Sequence, residues 1–589
     1  MAQKIYRSTG VIVACLLQAC ANPLGDLGKL DGNSGVQATE TAISAVRNSG
    51  DTDTVLSFPQ SSPSPVEISL QNRAEELEKI SPANKSDGWD SDLGTDLHNN
   101  IAVAQEITMK NAIRYAIENN LELEIASLET VSTTQSVVSA NAAFDFILGA
   151  SAASTRSRIP QQQFNPDGGG ALNAPESSID IFASEVFLTK QLESGGTITL
   201  STDLTRTSND ASGFNHTPNP AWQSIGAVEL NQPILRGFGE TTTLSQIRLA
   251  EIVHGQALEQ ARGVLNKVIT ETEHAYLQLE LEWKVLQIKQ WLLVQGESVV
   301  KILEIRMEYD TSEADYAQAV ATVEQRRADL INQQASVQAA SDTLKQLMNT
   351  DILALDSEVV LQPTGDLEAN PVSISLRASL LTAIEKRPDL RQLAMSIDSK
   401  SINVQVAKNA ILPKLDLQAQ MSLYGLGNSA DGGYQDVSEA EHLNYVVGLT
   451  FQTPLGNRAA KADYESSQIA RTKAMASYRQ GVQTALLGVK TALRAIVTSG
   501  ELFQANRSYR IAQAENMRAL TIEEETMAGL TPTFLSLKLQ TQSGLASARI
   551  SECTSVVNYN KAIASLYESM GTTLDMHQMA IKEGNNSTP

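Results

Sequence analysis

Cysteine is scarce in this chain, with three in 589 residues, and aromatic residues make up only 5%. Cys15 falls in an amino-terminal export signal, and Cys20, just after it, is expected to be acylated. That leaves Cys553, too few thiols for an intramolecular disulfide or a zinc site. Positive charge is short as well: 45 Lys and Arg against 67 Asp and Glu give a net charge of -22. No basic face is available for phosphates, which argues against nucleic acid as a partner. No uncharged apolar run is long enough for a membrane-spanning helix, so any integral membrane part must be built of strands. His-Glu-x-x-His is absent, and His254 and His274 stand singly on a helical stretch, so no catalytic residue, metal site or cofactor is expected.

Proline is missing from Glu240 to Met307. There Leu258, Leu265, Leu279, Leu286, Leu293, Val300 and Met307 recur at seven-residue spacing, with Thr272 as the polar member. Ala261, Val268, Ala275 and Leu303 complete the seam, while Glu282, Lys289 and Gly296 interrupt it. The pattern predicts one rod of about 65 residues, about 100 Å long. No compact globular core needs such a rod, and taken alone it also fits a dimeric coiled coil or a stalk.

The first residues read as an export signal over 1–19: Lys4 and Arg7, then the apolar run Val11–Leu17. Leu17-Gln18-Ala19-Cys20 resembles a bacterial lipobox, with Gln18 in place of the usual small residue. Cys20 is the expected lipidation site, and plain cleavage nearby is the alternative. Residues 20–104, rich in Ser, Asp, Asn, Gly and Pro, are expected to form a lipidated flexible tether.

Helical periodicity begins near Ile107 and again near Leu376. A constant shift of 267 residues carries Ala116-Ile117-Glu118 onto Ala383-Ile384-Glu385, Leu123 onto Leu390, Val137 onto Val404 and Ala140 onto Ala407. Such spread identities read as an internal repeat, each half running helix, strand, strand, long helix, return helix. Leu415 to Leu423 alternates strictly between apolar and polar, Thr197 to Leu204 nearly so, and Val447, Leu449 and Phe451 continue the pattern. The segments 161–177, with its Gly168-Gly169-Gly170 run, and 208–222 read as surface loops. With two clear strands per half, four strands cannot close a barrel, whereas three chains supply twelve. The fold class expected is mainly α with a membrane β-barrel: a trimeric 12-stranded barrel continued by a long α-helical barrel.

Two phrases lead from strand to long helix: Gln232-Pro233-Ile234-Leu235-Arg236-Gly237 and Thr453-Pro454-Leu455-Gly456-Asn457-Arg458. Together with Lys386-Arg387-Pro388-Asp389-Leu390, Ile411-Leu412-Pro413-Lys414-Leu415 and Ala528-Gly529-Leu530-Thr531, they resemble the TolC-like outer-membrane efflux proteins from about Gln105 to Thr573. The resemblance implies a homotrimeric exit duct in the outer membrane of a Gram-negative bacterium, in contact with outer-membrane lipid and extending into the periplasm. It also implies a periplasmic adaptor (membrane fusion) protein and an inner-membrane pump as partners, and no enzyme activity. Pro233, Gly237, Pro454 and Gly456 match the strand-helix junctions, and Gly529, Leu530 and Thr531 match an adaptor-docking tip. The first tip, around Tyr309-Asp310-Thr311, lacks glycine, and Leu535 stands where many relatives carry aspartate. Asp310, Asp315, Glu523, Glu524 and Glu525 are the candidate entrance carboxylates, against the plainer reading of a solvated acidic face. The domains expected are 1–19, 20–104, a first repeat 105–350, a connector 351–373, a second repeat 374–573 and a tail 574–589. The other class of function is an envelope-spanning coiled-coil lipoprotein scaffold, which has no use for a sheet with one lipid-compatible face.

Overall fold

The structure is a computed structural model that describes residues 34–47, 55–58, 65–83, 92–95, 97, 100–160, 176–209, 217–308, 311–365, 367–369, 371–526 and 531–577. The export signal, Cys20, Asp310, Gly529 and Leu530 lie outside the described residues. The amino-terminal part contributes α1 (Ser34–Arg47), β1 (Val55–Phe58), α2 (Pro65–Leu70) and α3 (Ala74–Ile80). The first half follows as β2 (Ala104–Ile107), α4 (Met109–Asn119), α5 (Leu121–Asn141), β3 (Phe146–Pro160), β4 (Glu176–Gln191), β5 (Thr197–Asn209), β6 (Ala221–Pro233), α6 (Ser245–Arg306) and α7 (Glu313–Met348). The second half runs β7 (Val360–Pro363), β8 (Val372–Ser375), α8 (Leu376–Lys386), α9 (Pro388–Ala410), β9 (Lys414–Gly427), α10 (Ala430–Glu439), β10 (Leu443–Gln452), α11 (Arg458–Thr526) and α12 (Pro532–Met570).

The heptad stretch forms α6, 62 residues long, and α11 reaches 69. Val268, Thr272, Leu279, Leu286 and Leu303 are buried along the α6 seam. The residues that interrupt the seam bind across it. Gln333 on α7 donates to the Glu282 carboxylate, and Lys289 Nζ donates to Gln333 Oε1 at 3.0 Å. Thr272 keeps its place in the seam because its hydroxyl donates to the Val268 carbonyl at 2.7 Å, four residues back. Helices α4 and α8 stand 267 residues apart at both ends, and α5 and α9 begin with the same offset. Ile113 and Ala116 in one half, Leu380 and Ala383 in the other, are all buried. Asn120 caps α5 by accepting from Glu122 N, whereas α9 opens on Pro388, whose missing N–H is no loss at a first helical position.

The main sheet corrects the sequence-based expectation of four strands per chain. It has six strands, all antiparallel, in the order β10-β9-β6-β5-β4-β3. The first half contributes four and the second two. The extra strands escape a period-two reading for a physical reason. On β3 the apolar face thins to Ala150, Ala152 and Ser154, and on β4 both faces carry large apolar residues, Ile181 and Phe187 on one and Phe182, Val186 and Leu188 on the other.

The amino-terminal stretch expected to hang free is, in its described parts, a strap. Ala42 and Val46 of α1 enter one core with Leu380, Ile384, Leu390 and Tyr478, and the Tyr478 hydroxyl donates to Thr39 Oγ1 at 3.0 Å. Strand β1 pairs with β8, and β2 runs parallel to β7. Farther along, Arg510 joins Glu78 of α3 at 2.9 Å and Glu552 of α12 at 2.7 Å. Its polar composition hides a few apolar residues, Ala42, Val46 and Leu77, that fit grooves between long helices.

Candidate functional site

Along the sheet, register puts apolar residues of all six strands on one face. Leu148, Leu188, Leu200 and Val228 form one row across β3 to β6, and Val228 continues to Met421 on β9. On β9 and β10, Leu417 stands opposite Leu449, Ala419 opposite Val447 and Met421 opposite Tyr445. Most of these side chains are exposed, Leu148 to 73% and Val447 to 71%. A contiguous apolar face of this width does not stay in water. The opposite face carries Glu185, Thr199, Ser201, Glu229, Gln418 and Gln420.

Both borders of the apolar face are marked by a cation over an aromatic ring. Lys190 Nζ lies 4.4 Å from the Phe146 centroid at one end, and the Arg206 guanidinium lies 5.9 Å from Trp222 at the other. From Lys190 to Phe182, the partner of Arg206 on β4, is about 26 Å of strand, or about 20 Å across a membrane once strands tilt. Outer-membrane barrels carry apolar bands of about 25 Å between aromatic girdles, and snorkelling cations belong at those borders. Helix α10 closes the outer end of the β9–β10 hairpin. It lies against Gly425, where an added Cβ would meet the Gly433 carbonyl, and Tyr434 and Thr202 hydroxyls meet at 3.1 Å.

At the other border each strand turns into its long helix. Pro233 ends β6, and Gly237 adopts φ +86° with its N–H donating to Asn409 Oδ1 at 2.7 Å. After Pro454, Gly456 adopts φ +87°, and the Asn457 amide donates to the Ile411 carbonyl at 2.8 Å. Only glycine takes this backbone without strain. Leu455 between them is 98% exposed, a free apolar side chain at the band's edge.

At the far ends of the rods both return helices open on a capping hydroxyl. Ser312 Oγ accepts from Asp315 N at 3.2 Å, and Thr531 Oγ accepts from Phe534 N at 3.2 Å. Asp315 is exposed but tied to the Ser312 hydroxyl at 2.6 Å. Leu535, where a carboxylate was weighed, is fully buried with Val299, Leu303, Ala319 and Leu539. Glu524 is held by Lys538 of the return helix, Glu523 is half-buried, and Glu525 is exposed.

Sequence reading missed Arg326. It is buried between α6, α7 and α12, and its guanidinium donates to the Leu292 and Leu539 carbonyls, both at 2.8 Å, to Gln542 Oε1 and to Ser543 Oγ. Among the described residues no carboxylate pairs with it, and burial pushes its pKa down to about 10. Gly296 leaves the room, since a Cβ there would lie 2.8 Å from Arg326 Nη1. Ala319, Val323, Leu330 and Val337 share the buried face of α7, so heptad spacing traced along that helix would have placed Arg326 in the seam.

His254 and His274 pack against neighbouring helices. His254 meets the Thr133 hydroxyl at 3.1 Å, and His274 meets the Lys561 carbonyl at 3.1 Å with its pKa held down by burial. Among the described residues no cluster of His, Cys, Asp and Glu could hold a metal, and no helix is long and apolar enough to cross a membrane.

Residues 380–572 match the family model described as outer membrane efflux protein. The pyoverdine export outer membrane protein OpmQ of Pseudomonas putida is 25% identical over 50% of this chain and 60% of its own length. The probable efflux pump outer membrane protein TtgC of the same species is 24% identical over 57% of this chain and 68% of its own. The chain therefore spans about 60% of the OpmQ relative. Among solved structures, the Campylobacter jejuni CmeC outer membrane channel matches 82% of this chain and 92% of its own with a TM-score of 0.58 at 14% identity. A membrane protein from Pseudomonas aeruginosa matches 78% and 93% with a TM-score of 0.56 at 18% identity.

Proposed function

Because this chain belongs with the TolC-like outer-membrane efflux proteins, we propose that it is a passive exit duct in the outer membrane, driven by an inner-membrane pump through a periplasmic adaptor. The observation that carries the reading is the six-stranded sheet with one exposed apolar face, bordered by Lys190 over Phe146 and Arg206 over Trp222 and continued into rods about 90 to 100 Å long. Strands that face lipid must satisfy every backbone group, which an open sheet does not, so the duct closes from several copies, a homotrimer in this reading. The two halves descend from one duplicated helix-strand-helix unit. Lipid on Cys20 anchors the amino terminus, and the strap of α1 to α3 carries that anchor along the second half. The tip at Gly529, Leu530 and Thr531 receives the adaptor, and Asp315 and Glu525 are the carboxylates left to face an entrance.

A coiled-coil scaffold needs the rods but not the apolar wall. The test is reconstitution of the purified protein in planar lipid bilayers together with complementation of a strain lacking its own exit duct. Conducting trimers and restored export are expected. Protein that stays in the soluble fraction without detergent and never conducts overturns the reading. Replacing Gly529 with Trp is expected to impair export with the trimer intact, and export at the parental rate refutes the placement of the tip.

A further inference from the structure

Helices and strands keep the same lateral order in this protein, but not the same number. The helices next to the sheet lie side by side as α5, α6, α9 and α11, with α6 packed on both α5 and α9. Each continues directly from or into one strand: α5 into β3, β6 into α6, α9 into β9, β10 into α11. In the sheet, β3, β6, β9 and β10 follow the same order, and β4 and β5 are inserted between β3 and β6. The inserted hairpin turns beside the strand-helix junction, where Gly239 N donates to the Ser194 carbonyl at 3.1 Å and the Ser194 hydroxyl reaches Gln232 Oε1 at 2.7 Å.

We infer that the β4–β5 hairpin widens the outer-membrane end of the duct, so that three copies joined β3 to β10 close a wall of eighteen strands with a water-filled bore for bulky hydrated cargo. This rests on the exit-duct reading above and sharpens its cargo class. An even number of antiparallel strands per copy leaves β3 and β10 running in opposite directions, so copies add edge to edge without a parallel pair. Both edges carry exposed apolar residues, Phe146 and Leu148 on β3, Tyr445, Val447 and Leu449 on β10, which continue the lipid-compatible face across the joint. In lipid, their unpaired backbone groups have no other partner than the next copy.

Widths agree with this count. Four helices side by side at about 8 to 10 Å occupy about 32 to 40 Å of arc. Six strands at about 4.8 Å, tilted by about 40°, occupy about 38 Å, whereas four occupy about 25 Å. The insert also has the right two faces: Val186, Leu188, Ile198 and Leu200 on the lipid side, and Glu185, Thr189, Thr199, Ser201, Asp203 and Thr205 on the other. Barrels of sixteen to eighteen strands leave a wide aqueous channel, while those of about eight fill with side chains or hold one small ligand.

The experiment compares the parent with a variant lacking residues 176–209, each in planar bilayers, with polyethylene glycols of graded size added on the outer side. Polymers that enter the barrel lower the current. Because Leu148, Leu188, Leu200 and Val228 lie in one row, the deletion brings β3 beside β6 with both apolar faces on the same side. Loss of two strands per copy removes about 38 Å of circumference in three copies at that tilt, so the largest admitted polymer is expected to fall by about 6 Å in radius. Equal size limits overturn the inference. Should the shortened protein not assemble, electron cryo-microscopy of the parent in lipid nanodiscs counts the strands: eighteen supports the widened bore, and twelve or an open sheet overturns it. A parent that inserts but never conducts defeats the duct reading itself, whereas one that conducts with a twelve-stranded wall defeats only the widening.

Discussion

From residue 109 to 141 the first half builds the same two helices that the second builds from 376 to 410, yet it follows them with four strands where the second uses two. The difference separates what packing fixes from what a sheet permits. Each helix in the body touches neighbours on both sides, so a change in length or number disturbs several interfaces at once. A hairpin inserted in an antiparallel sheet keeps direction, register and face alternation, and asks only for two more strand widths of wall. The halves thus share their paired helices while their strand numbers differ.

The sharpest way to break this comparison is in the first-half core. Trp283 is fully buried and its indole N–H donates to the Leu361 carbonyl at 2.9 Å. Trp283→Ala is expected to cost about 3–5 kcal/mol, measured by denaturant unfolding followed by circular dichroism. A loss below about 1 kcal/mol means that α6 does not depend on β7 for its packing.

Next in size are the matched alanines. Ala116 and Ala383 are both fully buried, and Ala116→Leu and Ala383→Leu are each expected to lose about 1–3 kcal/mol by overpacking. Thermal melts of the two variants should move together. A large shift in one and none in the other breaks the equivalence of α4 and α8.

Smaller effects are expected at the junctions. Gly237→Ala and Gly456→Ala both place a Cβ on left-handed backbone, in open space at Gly456 and 3.8 Å from Pro233 at Gly237. The strain alone acts, about 1–2 kcal/mol at either site. Unequal melting shifts would show that the two turns carry different loads.

The smallest effect is a pH dependence confined to the first half's rod. His274 is held below its ordinary pKa mainly by burial, with the Lys561 charge acting in the same direction and Glu273 and Glu271 against it. The folded state therefore binds fewer protons than the unfolded one, and stability is lost as pH falls through the unfolded value near 6.5. His274→Gln should flatten the melting temperature between pH 7 and pH 5, and an unchanged slope assigns that dependence to other groups.

Much of this architecture is legible in the residues. Heptad spacing and the missing prolines place α6 within a few residues of its observed ends, and the 267-residue shift locates α8 and α9 from α4 and α5. Strict alternation finds β9, β10 and β5. Other parts hide for identifiable reasons. Strand β4 is apolar on both faces, so period two disappears, and β3 builds part of its outer face from alanine and serine. Helix α10 contains Gly432-Gly433, poor helix formers that are needed because the strand backbone passes so close. The cation-aromatic borders depend on register between strands, which no single stretch of sequence contains. At the tips, Leu535 packs against Val299, Leu303 and Ala319 of the other hairpin, a contact that no single stretch of sequence contains.

Arg326 has a mechanical consequence. The two terminal nitrogens of its buried guanidinium are held by two carbonyls, an amide and a hydroxyl contributed by α6 and α12. Moving α12 by one helical turn, about 5.4 Å, along α7 would strip away every acceptor on that helix and leave the charge with the Leu292 carbonyl alone. The joint behaves like a detent in a sliding bolt: the two hairpins can tilt as a unit, but they resist travel along their length. Any force applied at the tips is then transmitted up the rods toward the membrane wall instead of being lost as slip between them.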